Sequence, residues 1–224
     1  MRIIFNRIVF ILLVILHSCV PMDTKHTISY TQHPLSQIQV LRITPHINYT
    51  NHVVNNTQVL KKISIWVDNK FNTKEQLNII SAVNEWRIAL NNTIQLNIVN
   101  ISFDIEKIKE KKIYGNDNWI IYKINEENKF YLKEPGRITL GLANNIGGNL
   151  IYLVDNEWNK DRDSLKLVLM HEISHLLGLT HDGKYLMNSE FNYNSYLCID
   201  EETMQRISKL YNIDKLSLNY CNRK

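Results

Sequence analysis

Apolar and polar residues alternate along Lys61–Asp68 (KKISIWVD), which predicts a strand with one face in a core. The period then changes. Leu77, Ile80, Val83, Trp86 and Leu90 fall at helical spacing, so a helix capped by Thr73 is predicted to run to about Leu90. Alternation resumes over Ile94–Ile101. Shorter apolar runs at Trp119–Ile124, Ile138–Leu142 and Leu150–Val154 are further predicted strands. A long apolar helix is predicted over Ser164–Leu177 and a last helix over Asp200–Tyr211. This order implies an α+β layer fold over residues 61–224, a twisted mixed sheet of about five strands with helices packed on it.

The chain before residue 61 reads differently. Arg2 and Arg7 precede the unbroken apolar run Ile8–Leu16. That run is too short to cross a bilayer, which takes about 20 residues. A basic start and a short apolar core make residues 1–18 an export signal; the competing reading is a buried helix. Leu16-His17-Ser18-Cys19 resembles a bacterial lipobox, although His17 departs from the small or aliphatic residue usual there. Lipid on Cys19 would tether the protein to a membrane surface; ordinary cleavage near Ser18 is the alternative. Residues 19–60 hold Pro21, Pro34, Pro45 and four of the eight histidines, and read as a polar tether or a short pro-segment. Those four histidines lack tight spacing, so no second metal site is expected there.

Composition narrows the function classes. A chain of 224 residues with 44% hydrophobic and 21% charged residues is neither disordered nor fibrous. Losing Arg2 and Arg7 with the first 18 residues would lower the net charge from +4 to +2. The densest basic run (Lys107, Lys109, Lys111, Lys112) is broken by Glu106 and Glu110, so no nucleic-acid partner is expected. With 28 Asn in the chain, the four Asn-x-Ser/Thr matches at Asn48, Asn55, Asn91 and Asn100 are expected by chance. Beside Cys19 only Cys198 and Cys221 remain. They form either a bridge, contributing about 3 kcal/mol, or two buried thiols.

The segment His171-Glu172-Ile-Ser-His175-Leu-Leu-Gly178-Leu-Thr-His181 carries the chemistry. On a helix His171 and His175 share one face, so both imidazoles can reach one zinc ion. Gly178 is the residue type that can turn left-handed at a helix end and swing His181 back as a third ligand. Three neutral imidazoles leave an open position on zinc, and Glu172 sits beside it. Five fixed residues at this spacing arise by accident in roughly one in ten thousand chains of this size. The flanking Leu165, Val168, Leu169, Ile173, Leu176 and Leu177 would bury the helix and hold the ligands rigidly.

This pattern resembles the metzincin zinc metalloproteases, and Met187, six residues beyond His181, resembles their methionine turn. The short gap is similar to matrixins. So are Lys61–Val67 with the Trp86 helix, Gly136–Ala143 with Gly147–Trp158, and Ile199–Tyr211, so the resemblance spans about residues 61–212. It implies a metzincin-like zincin fold with an active-site helix and a C-terminal helix. It implies one catalytic zinc on His171, His175 and His181, Met187 as a hydrophobic floor, and Glu172 as general base. It also implies a peptide substrate lying antiparallel to the 138–143 strand. Residues 188–197, with Phe191, Tyr193 and Tyr196, would wall the pocket beyond the cut.

The chain departs from matrixins at several points. Asp182 follows the third histidine, as in adamalysin-like enzymes, and Ser189 stands where astacins carry a tyrosine. No cysteine-switch segment is found, so latency through a thiolate is not expected. Ile151 and Leu153 replace metal ligands of the matrixin structural site; Asp155 and Glu157 are the carboxylates left for a calcium ion. The implied function is a zinc endopeptidase acting on extracellular or cell-surface proteins, exported, monomeric, and either lipid-anchored or secreted. The alternatives are a catalytically silent surface binding protein of the same fold and a zinc hydrolase of non-peptide bonds.

Overall fold

The computed structural model describes residues 26–31, 49–50, 59–108, 113, 115–128, 131, 133–134, 137–156, 162–182, 185–189 and 198–221. Strand β1 is His26–Thr31 and β2 is Lys61–Asp68. Helix α1 (Thr73–Leu90) leads to β3 (Ile94–Phe103) and β4 (Asn118–Ile124). The two-residue β5 (Lys133–Glu134) precedes β6 (Arg137–Ala143) and β7 (Leu150–Val154). Helix α2 (Arg162–Leu176) and helix α3 (Glu201–Tyr211) complete the fold.

The sheet runs β1-β6-β7-β4-β2-β3, with β5 paired to β6. Strands β3, β2, β4 and β7 are parallel neighbours; β6 is antiparallel to β7, and β1 is antiparallel to β6. Five of these strands are the predicted ones. The additional full strand, β1, comes from the polar segment ahead of residue 61.

The strands read as they do because the inner ones are covered on both faces. Ile63, Ile65 and Val67 of β2 join Trp119 and Ile121 of β4 in the main core, with Val83, Trp86, Val168 and Ile173 of the two helices. The alternate residues face a smaller cluster, where Ile120 meets Phe103, Ile105 and Ile113. Trp66 meets Phe103 edge-on at 4.9 Å there, and Tyr122 stacks on Tyr152 at 5.2 Å.

Helix α1 exists where predicted, but its cap and inner face differ. Asn72, not Thr73, is the cap: its side chain accepts from the Glu75 N–H, and Glu75 accepts from the Asn72 N–H, a reciprocal capping box. The buried stripe is Glu75, Asn78, Ile79, Ala82, Val83, Trp86, Ala89 and Leu90, whereas Leu77 is 60% exposed. Glu75 is buried because the Lys123 ammonium bonds both its carboxylate oxygens, at 2.9 and 3.0 Å. Ala82 and Ala89 are small inward residues on a helix that packs against α2.

That packing fixes the helix bearing the histidines. The Trp86 indole N–H donates to the Met170 carbonyl at 3.0 Å, one residue before His171. At the partly exposed edge, Lys166 bonds Glu85 at 2.7 Å, and Glu85 also accepts from the Tyr49 hydroxyl at 2.5 Å. Tyr49 further pairs as an isolated bridge with Cys221, so residues of three sequence-distant segments meet on α1 and α2.

Candidate metal centre

Helix α2 presents His171 and His175 one turn apart, both fully buried. The helix then stops. Gly178 has φ +96, the Gly178 N–H donates to the His175 carbonyl at 2.9 Å, and the Leu179 N–H donates to Ser174 at 3.0 Å. This pair of bonds is the glycine-dependent helix stop in which a left-handed residue reverses the chain. The reversal brings His181 back over the helix. The three Nε2 atoms lie 3.0 Å (His171–His181), 3.0 Å (His171–His175) and 3.2 Å (His175–His181) apart.

These separations match a metal. Four tetrahedral ligands at the usual zinc–nitrogen distance of ~2.0–2.1 Å sit about 3.3 Å from one another. The second ring nitrogens settle the tautomers. His171 Nδ1 lies 2.5 Å from the Leu186 carbonyl and His175 Nδ1 lies 2.7 Å from the Leu179 carbonyl. A carbonyl only accepts, so each Nδ1 carries the proton and each Nε2 points its lone pair inward. Lone pairs converging this closely repel unless a cation lies between them. Among the described residues this is the one group of three or more potential ligands that meets, and its chemistry suits zinc.

Glu172 is fully buried on the same turn of α2. Strand β6 passes close by: a Cβ on Gly141 would stand 2.6 Å from Val168 Cγ1 and 3.0 Å from Glu172 Oε1. Only a glycine lets the sheet approach the glutamate this closely at its present spacing. Met187 lies fully buried in a single 3₁₀ turn (Tyr185–Met187) whose Leu186 carbonyl orients His171. The turn is closed by the Asp182 N–H donating to the Met187 carbonyl at 3.2 Å.

Other predicted residues fall elsewhere. Asp155 ion-pairs with Lys123 at 3.4 Å and joins no ligand cluster among the described residues. Cys198 and Cys221 form a disulfide, with a Cα–Cα distance of 6.1 Å. Cys19, Glu157 and the pocket-wall residues Phe191, Tyr193 and Tyr196 lie outside the described residues. The strand read as the peptide-binding edge, β6, is paired with β1.

The motif does not display every residue that builds the site. The carbonyls of Leu179 and Leu186 orient two ligands, and a backbone oxygen leaves no mark in a residue pattern. Arg206 of α3 donates to Asp182 at 2.6 Å and to the Thr180 carbonyl at 2.7 Å, gripping both neighbours of His181. Its only sequence signal is a cation on the exposed side of the last predicted helix.

A mixed α+β sheet whose active-site helix carries three converging imidazoles, a buried glutamate and a methionine turn defines a metzincin zinc-protease architecture. The matrixin family model matches residues 69–212, and the chain belongs to that family of zinc metalloproteases. No curated protein matches the chain.

Proposed function

We propose that this protein is a zinc-dependent endopeptidase acting on extracellular or cell-surface proteins. The observation that carries the reading is the convergence of three Nε2 atoms within 3.2 Å, with buried Glu172 on the same helical turn. Bound zinc would supply the Lewis acidity that activates water and polarises the scissile carbonyl. The chain does the rest. The Nδ1–H bonds of His171 and His175 to the Leu186 and Leu179 carbonyls hold the two rings with Nε2 turned toward the site. Glu172 takes a proton from the attacking water on a carboxylate oxygen and hands it to the leaving nitrogen. The core around α2 holds the ligands in place, so little reorganisation accompanies reaction.

Export fits this reading. The basic, apolar amino terminus reads as a signal. A disulfide between Cys198 and Cys221 suits an oxidising compartment. All three ligands and the glutamate are present, which disfavours a silent binding protein.

The deciding experiment compares the wild type with Glu172→Gln, both supplied with zinc. The variant should keep one zinc per chain and lose hydrolysis of casein or a peptide library by about 10²–10⁴-fold. Full activity in the variant removes Glu172 as the base. Absence of stoichiometric zinc from folded wild type removes the peptidase reading altogether.

A further inference from the structure

The last carbonyls of a helix lose their helical partners and need donors from elsewhere. At the end of α2 the Leu179 N–H is given to Ser174, so the His175 carbonyl is one of these. It accepts from two directions. One donor is the Gly178 N–H at 2.9 Å, part of the helix stop. The other is the Gly147 N–H at 2.8 Å, from the turn that joins β6 to β7. The backbone of a metal ligand is thereby tied to the sheet.

That turn is built for the contact. The Gly148 N–H donates to the Asn145 carbonyl at 3.0 Å, and Gly147 between them has φ +67, as the third residue of a type II turn requires. Around it a single side chain closes the hairpin. The Asn144 N–H donates to the Leu150 carbonyl at 2.9 Å, and Asn144 Oδ1 accepts from the Asn149 N–H at 3.2 Å and the Leu150 N–H at 3.0 Å. Gly148 makes room for this carboxamide: a Cβ there would stand 2.3 Å from Asn144 Oδ1. Asn144, Gly147 and Gly148 therefore serve one arrangement. The amide oxygen gathers the far end of the turn, and its tip reaches the His175 carbonyl.

We propose that Asn144 is a positioning residue of the metal centre. By closing the β6–β7 turn it holds the Gly147 N–H on the His175 carbonyl, and so fixes the end of α2 from which His175 and His181 reach the ion. The inference rests on the zinc reading of the site and adds to the ligand motif a residue well outside it. The role is carried by an acceptor oxygen, so shape and chemistry can be separated. Asn144→Leu keeps the size and removes the oxygen, whereas Asn144→Asp keeps both. Asn144 is only half-buried, so neither change reaches the core.

The test measures zinc affinity of the exported full chain by competition with a chromophoric chelator. Asn144→Leu should bind zinc about tenfold more weakly than wild type, the scale of loss for an outer partner of a ligand. Asn144→Asp should restore the wild-type affinity; a residue that only filled space would give the same result in both variants. Gly148→Ala, whose methyl drives the carboxamide from its place, should repeat the Asn144→Leu result by a separate route. A second readout needs no metal. In zinc-free protein the Gly147 amide should exchange with solvent roughly tenfold faster in Asn144→Leu than in wild type, and no faster in Asn144→Asp. Wild-type affinity in Asn144→Leu or Gly148→Ala, equal losses in the Leu and Asp variants, or unchanged Gly147 exchange each overturns this proposal and leaves the proposed function standing. Stoichiometric zinc without peptide hydrolysis overturns the proposed function and leaves the role of Asn144 standing. Folded wild type that binds no zinc overturns both.

Discussion

Arg206 holds Asp182, the residue directly after the third histidine, through a 2.6 Å bond from Nη1. Its other terminal nitrogen bonds the Thr180 carbonyl at 2.7 Å and the Thr180 hydroxyl at 3.2 Å. His181 therefore sits on a segment clamped at both sides by one planar guanidinium. The pair is partly exposed, so its worth to folding is small, about 1 kcal/mol or less. Its worth to the metal is larger, because outer partners of ligands typically contribute about 10–100-fold in metal affinity. Arg206→Leu should weaken zinc binding by about tenfold or more while barely moving the unfolding midpoint. Arg206→Lys should rescue little, since an ammonium cannot span both partners. Competition with a chromophoric chelator reads the effect, and unchanged affinity in both variants would remove the clamp.

The Cys198–Cys221 bridge closes a loop of 23 residues around α3 and ties the segment before it to the end of the described chain. Opening it restores freedom to the unfolded chain, at a cost of about 3 kcal/mol. Urea denaturation with and without reductant measures this. The Cys198→Ser, Cys221→Ser double variant should match the reduced wild type. Coincident curves for oxidised and reduced protein would contradict the expectation.

Tyr49 links pH to stability. Burial, then the neighbouring Glu85 carboxylate that accepts its hydroxyl proton, raises the phenol above its ordinary range. A raised folded pKa stabilises the fold fully below the unfolded value and loses that contribution as pH climbs. Stability should therefore decline from about pH 10 upward, where the unfolded tyrosine ionises and the buried one does not. Tyr49→Phe should be less stable at neutral pH by about 1 kcal/mol. Its denaturation midpoint should also fall less steeply above pH 10. Parallel alkaline slopes for both proteins would count against a buried neutral phenol.

The proposed export signal leaves Cys19 as the candidate anchor point. Cys19→Ser should move the protein from the membrane fraction to the soluble fraction. Identical partitioning of both chains would exclude a lipid anchor at this position.

The metal motif was legible because its logic is local. The four-residue spacing of His171 and His175 and the left-handed Gly178 are properties of one helix and its end, and a residue pattern records them directly. The strands were legible for the same reason, as short alternating or apolar runs. The inward face of α1 was not. Its predicted stripe and its actual one share Val83, Trp86 and Leu90 but differ by Leu77 against Ile79 and Ala82. Alanines, Asn78 and a glutamate carry little hydrophobic signal, and what turns them inward is contact with α2 and Lys123.

Sequence by itself thus determined five strands, the main helices, and the spacing that sets Glu172 beside the three histidines, because each depends on neighbours within a few residues. Tertiary structure alone decided what closes around them. The Leu179 and Leu186 carbonyls, the Arg206 clamp and the Trp86–Met170 bond join atoms whose relation appears only after chain reversal or helix packing. Strand β1 is the furthest case. Residues read from sequence as part of a polar tether become a strand by pairing with β6, and it is that partner, 110 or so residues away, that sets the register.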